Sequence, residues 1–212
     1  MLIAQQGGAQ CIEQLRNSLV VDILNNERIS FGIEAPLFIP IPKFANHLSR
    51  GRIAEENRSC FAQAGAYVAI LALHQMCWLF KNIHDQMLQH HYDLRFTFDI
   101  NEWRDAGNNF LIWEALVSGP GHSAANDVNG HIADAHTAAK LFRQYERDEL
   151  EENNNVMLNP DDISLSLIEV ALLHSGAIQN MAQIRNVDII VLKADQPIPI
   201  PQDVLGIGMH PV

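Results

Sequence analysis

The chain has 212 residues, 48% of them hydrophobic, which is enough apolar side chain for one compact domain with a buried core. Its 25 acidic residues against 14 basic ones give a formal net charge of -11, a field that repels nucleic acid and anionic lipid unless a metal ion or local cations intervene, and so argues against a simple DNA-binding module. Cys11, Cys60 and Cys77 are widely spaced with no CxxC pair, which excludes a disulfide framework and a cysteine zinc site and fits a reducing compartment. The opening residues lack the basic region and apolar core of a signal peptide, so a cytoplasmic protein is expected.

Ile12, Leu15, Leu19 and Ile23 recur at helical spacing and predict an amphipathic helix over residues 10–26. A competing pattern pairs LVVDI with RISFGI as a hairpin turning at Asn25-Asn26, but the apolar stripe reaching back to Ile12 favours the helix. ISFGIE then reads as a strand ending on Glu34, after which prolines at 36, 40 and 42 are expected to carry the chain out of the sheet. Residues 43–57 form a polar connector, and a long helix is predicted from about 57 to 90. Within it residues 60–80 carry no acid or base and are long enough to span a bilayer, yet Gln63, His74 and Gln75 favour a central helix buried on two sides.

LRFTFDI alternates like a half-exposed strand, NEWRDAGNN reads as a turn, and FLIWEALV as a short buried strand. SGPGHSAANDVNG is a loop, and HIADAHTAAKLFRQYERDELEE is a helix with acidic final turns. A further helix, capped by Asp161 or Asp162, is expected to run to about residue 184, followed by the strand VDIIVLKA. Strands separated by helices, with continuous apolar runs, predict an α/β domain on a partly parallel sheet over residues 1–196, with a proline-rich tail at 197–212.

Sites in such sheets gather where the strands end. Glu34 and Glu114 stand at two strand ends, and Asp134 lies one turn inside the helix that follows. Were the two strands parallel neighbours, the three carboxylates would share one edge, an oxygen-ligand cluster of the kind that holds Mg2+ or Mn2+ for phosphoryl transfer. His131 shares a helix face with Asp134 and is a candidate fourth metal ligand, whereas His136 points elsewhere. His122 in the glycine-rich loop near Glu114 is a candidate proton shuttle. Arg52 and Arg58, with Arg50, form a basic patch that would receive phosphate oxygens. No phosphate-binding loop or nucleophile-elbow motif is present.

The stretches FGIEAPLFIPIP, RSC, WEALVSGPG and ADAHTAAKLF are similar in order and spacing to a widespread bacterial and archaeal family of unknown function that is predicted to have the RNase H-like (RuvC-like) nuclease fold. The resemblance covers about residues 29–142. It implies a mixed sheet flanked by helices, with Glu34 ending the fourth strand, Glu114 near the end of the fifth and Asp134 on the closing helix. That fold begins with a three-stranded sheet whose first strand carries an aspartate, and here too few residues precede the first helix to build it. Asp22 would replace that acid only if the hairpin formed.

Two functions are therefore expected. One is a metal-dependent phosphodiesterase or nuclease-like hydrolase, with Glu34, Glu114, Asp134 and His122 as its catalytic groups and a phosphate ester or nucleic acid as substrate. The alternative is a non-catalytic binding or assembly subunit of the same fold, forming a homodimer or larger homo-oligomer through the sheet edge that the missing strands leave open.

Overall fold

The computed structural model describes residues 11–52, 63–105, 109–117, 128–150, 161–179 and 189–194, with backbone alone at 63–65, 109 and 128–131. Helix α1 (Ile12–Leu24) buries Leu19 and Ile23, the inner half of the stripe seen in the sequence. It ends at Asn25, and Asn26 takes the left-handed conformation (φ 59°) that asparagine tolerates better than most residues. Tyr92 donates its hydroxyl to the Asn26 side chain, which fixes the turn. The hairpin therefore does not form, and Asp22 lies on a helix, where it cannot stand in for a first-strand acid.

The main sheet is built on one strand. β4 (Asn109–Leu116) pairs along one side with β1 (Ile29–Ile33), in a parallel register from Ile29 opposite Phe110 to Ile33 opposite Glu114. Its other side is shared end to end: β3 (Arg95–Thr97) pairs with Asn109–Leu111, and β6 (Val191–Lys193) with Glu114–Leu116, both parallel. Among the described residues β1 has β4 as its one strand neighbour, so its outer edge carries no ladder. The architecture is mixed α/β, a parallel sheet flanked by helices.

Alternation along β4 divides the core. Phe110 and Ile112 face helix α2 (Gln63–Gln89) and helix α5 (Leu167–Ser175), joining Met76, Phe80, Ile83, Met87, Ile168 and Leu172. Phe31, Phe80, Phe96 and Phe110 form a cluster of edge-to-face and tilted rings here, with ring centroids 5.2 to 6.4 Å apart. Leu111, Trp113 and Ala115 face the opposite layer, packing with Trp103 of α3 (Ile100–Asp105) and with Ala138, Ala139, Leu141 and Phe142 of α4 (Val128–Glu146).

Four expectations are corrected. The chain does leave the main sheet after Glu34, as expected, but the proline segment stays regular: β2 (Phe38–Ile41) includes Pro40 and pairs antiparallel with β5 (Ile163–Ser166) in a separate two-stranded sheet. Each strand of such a sheet has an unpaired edge, where a missing N–H costs nothing. The helix expected from Asp161 or Asp162 starts later, because residues 163–166 are spent on β5; Ser166 caps α5 by accepting from the Glu169 N–H, and Gly176 in the left-handed region ends it. NEWRDAGNN opens with residues of helix α3, which is begun by the Asp99 carboxylate accepting from the Asn101 N–H. Finally, α2 is one-sided in its first half, where Tyr67, Val68, Ile70 and Leu71 are exposed, and no helix among the described residues is long and apolar enough to cross a membrane.

Candidate functional site

The carboxyl end of β4 holds a buried charge. Glu114 is 1% exposed and Arg52 likewise 1%. The Arg52 guanidinium grips the carboxylate as a fork, Nη2 to Oε1 at 2.5 Å and Nη1 to Oε2 at 2.8 Å. Oε2 also accepts the Leu37 backbone N–H at 2.9 Å. Above the guanidinium, the Phe38 ring lies with its centroid 4.4 Å from the central carbon. Both carboxylate oxygens are thus engaged, in the planar two-bond geometry that arginine alone among side chains can supply.

The fold brings these groups together from three places. Glu114 is carried by β4, Leu37 and Phe38 by the entry to β2, and Arg52 by the connector that follows a 3-10 turn at Ala45–His47. The connector has a second anchor: Arg50 reaches Asp162, just before β5, at 2.9 Å. The Leu37 carbonyl in turn accepts from the N–H groups of Leu167 and Ile168, so the first turn of α5 is tied to the same point.

Arg52 is therefore not placed to receive a substrate phosphate; its head group is buried on Glu114. Of the other candidates, Glu34 lies just past β1, exposed in the bend that opens the proline segment. It lines a cavity of about 460 Å³ with Leu15 of α1 and Leu71 and Gln75 of α2. Asp134 is 1% exposed on α4, whose buried residues pack with Leu111, Trp113 and Ala115. Glu114 alternates with those residues and sides with Phe110 and Ile112, so the sheet stands between its carboxylate and the layer to which Asp134 belongs. The strands that carry Glu34 and Glu114 do pair in parallel, the condition the shared edge required, but Asp134 belongs to a helix whose buried residues pack on the face of β4 opposite that of Phe110 and Ile112.

Among the described residues no group of three or more His, Cys, Asp or Glu side chains is arranged to hold a metal ion. Arg58, His122 and the side chain of His131 lie outside the described residues, as does the tail from residue 195. His136, partly buried on α4, has its pKa lowered from 6.5, first by burial and then by the charges of Lys140 and Arg143. Comparison with family models, with curated proteins and with solved structures found no match to this chain.

Proposed function

We propose that this protein is a non-catalytic binding or assembly subunit with an RNase H-like fold, working in the cytoplasm. The observation that carries this reading is the Arg52 fork on Glu114: an internal cation already neutralises the carboxylate that a metal-dependent hydrolase of this fold would present at that strand end. A buried guanidinium held by two charge-assisted bonds is not displaced by a hydrated divalent ion without leaving an unpaired buried charge. The outer edge of β1, which has no strand neighbour among the described residues, is the natural place for assembly, and a second copy of the chain is the partner this reading names.

The competing reading, a Mg2+- or Mn2+-dependent phosphodiesterase, makes a different prediction for one measurement. With Mn2+ at millimolar concentration the melting temperature stays unchanged for an assembly subunit, and light scattering returns a dimer or larger. A rise in melting temperature that disappears in Glu34→Ala or Asp134→Ala would instead establish a metal site and overturn the proposal. A clean monomer would remove the self-assembly part.

A further inference from the structure

The Glu114 carboxylate and the Phe38 ring form a slot with two recognition elements set at the separation a planar cation needs: an in-plane carboxylate that accepts two parallel N–H bonds, and an aromatic face 4.4 Å from the cation centre. Neither element is supplied by the connector that carries Arg52. Glu114 is held in the sheet by pairing with Ile33 on one side and Val191 on the other, and its Oε2 is oriented by the Leu37 N–H. Phe38 is fixed by its register opposite Ser166, the residue that caps α5. The receptor is thus built by the sheet layers, and the occupant arrives on residues 43–52, a stretch whose only regular structure is one short 3-10 turn.

We propose that the slot between Glu114 and Phe38 is a guanidinium-binding site, which the chain's own Arg52 fills as a tethered ligand. The connector is then a strap across the end of the sheet, fastened by Arg52 in the buried slot and by Arg50 on Asp162 at its more exposed end. The slot takes a guanidinium in preference to an ammonium, because a point charge with tetrahedral donors cannot make two parallel in-plane bonds to the paired oxygens while lying flat on the ring. This inference does not rest on the assembly role, and the metal titration above leaves it untouched.

Chemical rescue tests it. Arg52→Ala lowers the melting temperature by about 10 °C, the loss expected when one partner of a buried pair is removed from a chain of this size. Methylguanidinium chloride at low millimolar concentration recovers at least a third of that loss, while methylammonium chloride at the same ionic strength recovers none and the unaltered protein responds to neither. The double variant Arg52→Ala, Glu114→Gln is not rescued. Equal recovery by both salts, or by neither, would overturn the site. If Arg52→Ala fails to fold alone, refolding in each salt gives the readout: soluble folded protein with methylguanidinium only supports the site, and folded protein with neither sinks it.

Discussion

Gly32 shows how closely the main sheet is fitted. A Cβ at this position would overlap the six-membered ring of Trp113, because the indole of the paired residue on β4 lies across the glycine. The ring has no way to retreat. It is stacked on Phe142 with centroids 5.1 Å apart, and its Nε1 donates to the Ser30 hydroxyl at 3.0 Å. Gly32→Ala should therefore cost about 1–3 kcal/mol, the range for overpacking a tight core, read as a fall in the urea midpoint without a change in slope. An unchanged midpoint would mean that the two strands can part at this register. His136 gives a residue-scale pH effect. Its folded pKa is below the unfolded value of 6.5, so the unfolded chain binds the extra proton first, and the contribution to stability is present above 6.5 and is lost as pH falls toward the lowered value. His136→Gln should flatten the stability profile on the acid side of 6.5 and leave it unchanged above; a profile identical to that of the natural protein would show that the histidine titrates alike in both states.

At the scale of elements, α2 does two jobs along its length. Its second half carries Met76, Leu79, Phe80, Ile83 and Met87 into the core, while its first half exposes Tyr67, Ile70 and Leu71. Phe80→Ala should cost about 3–5 kcal/mol, since the side chain is fully buried among Phe31, Phe96 and Phe110, whereas Ile70→Ala should change stability by less than about 0.5 kcal/mol. Equal costs in denaturant titration would mean that the first half is covered in solution. The elements also show what the sequence made legible. α1 was readable because Ile12, Leu15, Leu19 and Ile23 mark one face without help from the rest of the fold. α5 was misplaced because Asp161 and Asp162 look like caps, while the operative signal, Ser166 with Glu169 three residues on, begins at the last of the four residues that the fold uses as β5. β2 was missed because proline was read as the end of pairing, when it excludes only a central strand.

For the molecule as a whole, the parallel arrangement of β1 and β4 was legible, and with it the delivery of Glu34 and Glu114 to the same end of the sheet. What happens to those carboxylates was not. The partner of Glu114 lies 62 residues earlier in the chain, in a stretch with no regular spacing, so no periodicity connects them; Arg52 read only as one member of a basic patch. Alternation on β4 was available in FLIWEALV and would have warned that Glu114 and Trp113 face different layers, but which layer α4 covers is decided by packing alone. The same ion pair sets a whole-molecule expectation. Glu114→Gln keeps the shape and removes the charge, leaving Arg52 buried without its counter-ion, and should lower stability by about 3–5 kcal/mol. A cost below about 1 kcal/mol in equilibrium unfolding would show that water reaches the pair.

The central strand has a further consequence, for the order in which the protein can be made. β4 is flanked by residues 29–33 on one side and, on the other, by 95–97 and then 191–193, so its hydrogen-bonding partners are gathered from the beginning, middle and end of the chain. During synthesis the last residues of that strand, Glu114 to Leu116, emerge before their β6 partners and wait for them until residue 193 leaves the ribosome. Long-range parallel pairing of this kind is slow to close and exposes a template for wrong pairing while it waits. A nascent chain stopped before β6 is therefore the form of this protein most in need of a chaperone.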